Sequence, residues 1–191
     1  MKKIILSLVV LVLSCGVSYG QEKPAALSEY LKCFGPFLGT WQYEGPMQED
    51  FEGVAEKGTQ IVVQVSRKKI LNGSAVEENW TIEFGGGAEL TGKSLTGWDA
   101  KEQKIVNGGM SSDGAISAGS ITHDQAKKSL SFSLTGVDGD GEETSSKVVI
   151  TKKDRDTYTW QTVERTGGPA DGPSGIYTFK RVKPQAKKEA K

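Results

Sequence analysis

Alternation of apolar and polar residues with period two, sustained from about residue 60 to residue 181, constrains this chain more than any other feature. Ile61, Val63 and Val65 oppose Gln60, Gln64 and Ser66, and Val76, Trp80, Ile82 and Phe84 share the next face. Leu130, Phe132 and Leu134 alternate with Ser129, Ser131 and Ser133, and Tyr158 with Trp160, then Tyr177 with Phe179, close the series. Successive side chains on a strand point to opposite faces, so the pattern belongs to half-buried antiparallel strands, one face packed and one wet. Asn72-Gly73, Gly85-Gly86-Gly87 and Asp138-Gly139-Asp140-Gly141 supply the hairpin turns between them. Trp98-Asp99 before the strand from Lys101, and His123-Asp124 before the strand from Lys127, read as two copies of one turn. In each, an Asp side chain bonds the turn backbone.

About ten strands fit between Trp41 and Val182, and no helical segment separates them, which excludes parallel crossovers. A meander of that many strands must curl or close to remove its edges. The expected fold class is therefore all-β, an antiparallel up-and-down barrel, with an open or sandwiched antiparallel sheet as the alternative. One short helix precedes it: Leu27, Tyr30, Leu31 and Phe34 recur at helical spacing between Pro24 and Gly35-Pro36.

The chain begins with an export signal. Lys2 and Lys3 precede an apolar run, Ile4 to Leu13, that is right for the core of a signal peptide and short for a membrane span. Cleavage after Gly20 releases a soluble protein, whereas the lipobox-like Val12-Leu13-Ser14-Cys15-Gly16 makes Cys15 a lipidation candidate and the new N-terminus. The expected division is a signal peptide over 1–20, a spacer over 21–26, a barrel domain over 27–183 and a disordered basic tail over 184–191. Localisation is periplasmic or secreted, alternatively lipid-anchored in the cell envelope, with membrane contact only if Cys15 is lipidated.

With Cys15 lost or lipidated, Cys33 stands alone and no disulfide framework exists, so stability must come from the core and the sheet. Charge narrows the partners. Without Lys2, Lys3, and the four lysines and one glutamate from Lys183 onward, 18 basic residues face 23 acidic ones. A mildly acidic fold argues against a nucleic-acid surface.

Leu38-Gly39-Thr40-Trp41 carries a resemblance. A Gly-x-Trp on the first strand after a short helix resembles the motif of lipocalins and related calycin barrels. That likeness implies Gly39 and Trp41 on the barrel floor, with the Trp against an Arg from the last strand, here Arg181. Together with Gly97-Trp98-Asp99, Thr122-His123-Asp124 and Thr159-Trp160-Gln161, the pattern looks like a family of secreted bacterial proteins known only as a domain of unknown function. The likeness spans about residues 27–183 and implies a fold without an activity. Haem-binding barrels of similar opening use a His near the chain end, but none follows His123, so no cofactor is implied. Fatty-acid-binding barrels hold a carboxylate with an Arg and a Tyr on late strands, which Tyr177 and Arg181 echo at a different spacing.

One His and one mature Cys cannot make a zinc site of usual composition, and His123 sits in a turn without a nucleophile motif elsewhere. The Asp138 loop lacks the acidic twelfth position of a calcium loop, which is Val149, so no metal site is expected. Polar residues at inward parity are more informative. Glu78 shares a face with Trp80, Glu164 with Tyr158 and Trp160, and Arg181 with Tyr177 and Phe179. Buried charges of this kind must pair or meet a ligand, unless bulges change the parity or the groups sit at a wet mouth. From Gly108 to Thr122 the chain is mostly Gly, Ser and Ala, too small to fill a barrel. Either Trp80, Trp98 and Trp160 fill the interior or a small-molecule cavity remains.

The leading expectation is an exported module binding a small apolar or amphipathic molecule, with Glu78, Trp80, Trp98, Trp160, Glu164, Tyr177 and Arg181 as candidates for its contacts. A structural or protein-interaction barrel of the envelope, with no ligand, is the second reading. Acid–base catalysis by Glu78 and Glu164 is a third, without a motif to support it.

Overall fold

The computed structural model describes residues 29–167 and 172–183. The expected signal peptide with Cys15, the spacer, Leu27 and the tail over 184–191 lie outside the described residues.

Ten strands follow one another along the chain: β1 (Gly39–Pro46), β2 (Gln60–Ile70), β3 (Ala75–Phe84), β4 (Glu89–Asp99) and β5 (Lys104–Ser111), then β6 (Ile116–Asp124), β7 (Ser129–Val137), β8 (Glu143–Asp154), β9 (Thr157–Thr166) and β10 (Tyr177–Arg181). Each pairs antiparallel with its sequence neighbour, and β10 pairs with β1, so the sheet closes into an up-and-down barrel. Alternate connections therefore gather at opposite ends. The β1–β2, β3–β4, β5–β6, β7–β8 and β9–β10 loops surround one end, the mouth; both described termini lie at the other.

The turns at the closed end follow their side chains. Asp99 Oδ1 accepts from the backbone N–H of Lys101 and Glu102, both at 3.0 Å, and Asp124 Oδ1 accepts from Lys127 N–H at 3.0 Å. Gln103 and Lys128, each four residues past its Asp, both take positive φ, at 49° and 52°. The Asn72-Gly73 turn is wider than a two-residue hairpin, because Ile70 pairs with Ala75 and Leu71, Asn72 and Gly73 all adopt positive φ.

The N-terminal segment differs from the helix expected to stop at Gly35-Pro36. It is a 3-10 helix, Lys32–Phe37, with Pro36 inside it. Its hydrogen bonds span three residues, from Phe34 N–H to Leu31 O (3.1 Å) and Leu38 N–H to Gly35 O (3.4 Å), so bonds form on either side of Pro36, which has no N–H to donate. The turn drives Leu31, Phe34 and Phe37 into the closed end, each at most 2 % exposed. Burial of side chains this size contributes roughly 1.5–3 kcal/mol apiece.

Trp41 lies at the centre of this end, fully buried, with its Nε1 donating to Phe37 O at 2.9 Å. Tyr158 meets it edge-on at 4.9 Å between centroids and stacks on Phe179 at the same separation. Two cations cover the indole: Arg181 Cζ stands 4.0 Å and Lys152 Nζ 3.9 Å from the ring centroid. Arg181 Nη1 also donates to Leu38 O at 2.8 Å. Gly39 is glycine for two reasons here. Its φ is +102°, and a Cβ would stand 2.7 Å from Arg181 Nη1.

Crowding two cations on one ring has a measurable consequence. Burial first, and the Arg181 charge second, bring Lys152 from an ordinary 10.5 down to about 8. The folded protein therefore releases this proton before the unfolded chain does, and between those values the unfolded state binds more protons. Stability gains from this group as pH rises from about 8 towards 10.5. Lys152→Met removes that gain. Urea denaturation at pH 7.5, 8.5 and 9.5 is expected to give a wild-type stability that rises, relative to the variant, across the series; a flat difference contradicts it.

Candidate functional site

The mouth half of the barrel is hollow. A cavity of about 470 Å³ opens there, with walls from Ile61, Val63 and Val65 of β2, Trp80, Ile82 and Phe84 of β3, and Trp160, Tyr177 and Phe179 of β9 and β10. From β4 to β6 the lining includes the small residues Ser94, Gly109, Ser111, Ala115 and Ser117, alongside Leu90 and Asn107. Trp80 is fixed by such a small neighbour. Its Cα partner is Gly92, where an added Cβ would lie 2.1 Å from the indole.

The deep polar group is Arg67. It continues the inward parity of Ile61, Val63 and Val65, is 5 % exposed, and lines the cavity. Its Nε forms an ion pair with Glu78 Oε2, and the two residues are Cα partners across β2 and β3. Nη1 donates to the Tyr158 hydroxyl at 3.3 Å, and the guanidinium lies 5.4 Å from that ring's centroid. Burial pulls the Arg67 proton affinity down, but Glu78 and Tyr158 outweigh it, and the net direction is upward. Burial likewise pushes the Tyr158 and Tyr177 phenols up, which keeps both neutral near pH 7. Beside this group, buried Asn107 donates through Nδ2 to Thr96 Oγ1 at 2.9 Å and to Ser94 Oγ at 3.3 Å.

Nearer the mouth, Arg165 Nη2 pairs with Glu49 Oε2 at 2.9 Å and ties β9 to the β1–β2 loop. The same loop is fastened by Gln48 N–H, which donates to the Tyr177 hydroxyl at 3.1 Å.

Of the residues singled out from the sequence, Glu78, Trp80, Trp160 and Tyr177 line this cavity together. Three do not. Glu164 points outward, its side chain 72 % exposed and 3.2 Å from Lys147 Nζ. The reason is a bulge: Lys147 pairs with Glu164 but Val148 pairs with Thr162, which leaves Val163 as an extra residue and flips the parity beyond it. Arg165 takes the inward place instead. Trp98 is on the inward face but at the closed end, where it stacks on Tyr30 at 3.9 Å between centroids. Arg181 covers Trp41 from the closed end and borders an outer groove shared with Arg155, Asp156 and Lys183. Gly39 and Trp41 belong to that end as well.

Arg67 was readable, since it extends a visible alternation by one step; Arg165 was not, because a bulge leaves no mark in period-two spacing. Asp138 Oδ1 accepts from Asp140 and Glu142 N–H at 3.0 and 2.9 Å, so its carboxylate serves the turn. His123 is exposed at the end of β6. No protein-family model matches the chain, and no curated protein matches its sequence.

The two glutamates on which inward parity was expected separate cleanly by mutation. Glu78→Ala strands a buried guanidinium and is expected to cost about 3–5 kcal/mol. Glu164→Ala breaks only an exposed pair and is expected to cost less than about 0.5 kcal/mol. Chemical denaturation of both variants checks the contrast; equal effects would refute this assignment of faces.

Proposed function

We propose that the chain is an exported, lipocalin-like barrel that binds a small apolar or amphipathic molecule in its mouth-side cavity. The unequal filling of the two ends carries this reading. The closed end is packed by Leu31, Phe34, Phe37 and Trp41, whereas the mouth half keeps about 470 Å³ open between aromatic walls and a side that includes Ser94, Gly109, Ser111, Ala115 and Ser117. That volume lies within the range of ordinary small-molecule sites, which are concave, mostly apolar and provided with a few polar groups. Glu78, Trp80, Trp160 and Tyr177 contribute to the proposed site, joined by Arg67 and Asn107. Secretion belongs to the same proposal and rests on the signal-like N-terminus.

A second reading, a structural or protein-interaction barrel of the envelope, has one observation in its favour. Met110 and Ile116, 64 % and 55 % exposed, are register partners, and Val137 pairs with Ile116 on the next strand. Such adjacent exposed apolar side chains suit a protein contact.

Native mass spectrometry of protein produced with its own leader and purified without denaturation distinguishes the two. The binding reading expects either a co-purified small molecule or a mass increment on adding lipophilic probes, together with quenching or a shift of tryptophan emission from Trp80 and Trp160. A bare mass with no response to any probe refutes it. The same spectrum reads the mature N-terminus, which begins at Gln21 after ordinary cleavage or at a diacylglyceryl Cys15 after lipidation.

A further inference from the structure

We infer that the cavity selects uncharged lipophilic molecules over anionic ones of the same length. The inference rests on the binding reading above and concerns the chemistry of the ligand's polar end.

Among the described residues, every charged side chain that lines the cavity already has a partner in the protein. At the deep end Glu78 neutralises Arg67, whose Nη1 is further engaged by Tyr158. At the mouth Glu49 neutralises Arg165, with both side chains more than four-fifths buried. Lys93 pairs with Glu77 on the outer face. Of the two remaining lining carboxylates, Asp113 accepts from Ser111 Oγ and Ala115 N–H, and Asp138 accepts from its own turn backbone. Among the described lining residues, the cations Arg67 and Arg165 stand against the anions Glu49, Glu78, Asp113 and Asp138, while Lys93 turns to the outer face. No excess of positive charge awaits a carboxylate or phosphate.

An anionic head group left at the rim faces Asp113 and Asp138, and inside the cavity it has two routes, both unfavourable. It can lie unpaired against Val65, Trp80 and Phe132, which forfeits its hydration. Otherwise it must displace Glu78 from Arg67 and leave that carboxylate stranded instead. A hydroxyl, ester or ketone needs only a hydrogen bond, and Ser94, Asn107 and the neutral Tyr177 hydroxyl supply such partners along the wall. Hydrogen-bonded neutral groups enter an apolar site at far smaller cost than ions.

Displacement of the neutral fluorophore N-phenyl-1-naphthylamine at pH 7.5 tests this with two probes of one chain length, 1-dodecanol and dodecanoate. The alcohol is expected to bind at least about tenfold more tightly than the carboxylate. Equal or tighter binding of dodecanoate overturns the inference while leaving the binding reading intact. Failure of the fluorophore and both probes to bind overturns the binding reading, and this inference with it. Glu78→Gln leaves Arg67 charged and unpaired, and is expected to improve dodecanoate at least about tenfold relative to dodecanol. Glu49→Gln makes the same test at the mouth, away from the folding core, and serves if the first variant does not fold. Unchanged selectivity in the folded variants overturns internal pairing as its origin.

Discussion

Closure of the sheet is the constraint on which everything else depends, and its seam is short. β1 and β10 are in register only through Trp41 with Arg181 and Gln42 with Lys180, extended by Val182 N–H to Thr40 O at 2.9 Å. The side chains compensate for the few backbone bonds. Arg181 lies on the Trp41 ring and reaches Leu38 O, so one residue of β10 holds both β1 and the segment before it. Towards the mouth, where that register stops, Tyr43 meets Tyr177 edge-on at 5.1 Å and Gln48 N–H donates to the Tyr177 hydroxyl. Without this seam the meander would present two bare edges, the usual route to association between chains.

Once closed, the barrel divides along its axis by residue size. Large side chains gather at the end plugged by the 3-10 helix, where dispersion contacts are dense and little space remains. Small side chains on β4, β5 and β6 leave the other half open. The Arg67–Glu78–Tyr158 group sits at the boundary. It stabilises only as a unit: together its members meet one another's charge and hydrogen-bonding needs, while any one alone would be a buried polar group without compensation. The same mutual satisfaction leaves the deep arginine of the cavity neutralised from within the protein.

Much of the fold was legible in the sequence because its determinants are local. Alternation from Ile61 to Phe179 marked the strands, the glycines and aspartates marked the turns, and the absence of helical spacing forced antiparallel pairing. The aspartates at 99 and 124 bond their turns in the way their position suggested. Legibility weakened where one residue changes the count. Val163 adds a single step to β9, and the carboxylate that parity placed inside stands in solvent while Arg165 lies within. Parity also says which face a side chain occupies but not how far along the barrel axis it lies. Trp98 and Arg181 share the inward face with Trp80 and Tyr177, yet they lie at the closed end, beyond the cavity.

The sequence by itself therefore determined an all-β chain of antiparallel strands, the inward face of β2 and β3, and the scarcity of bulk between residues 108 and 122. These follow from the two-residue repeat of a strand and from side-chain volume, which are properties of the chain before it folds. The tertiary structure alone decided which arginine meets which glutamate, that Arg181 belongs to the closed end, and that the small residues border empty space rather than an aromatic ring. Those outcomes depend on register, on the bulge and on the height of each residue in a closed barrel. All three arise only when strands distant in sequence are brought together, because a pairing distance is a relation between two segments and neither segment encodes it alone.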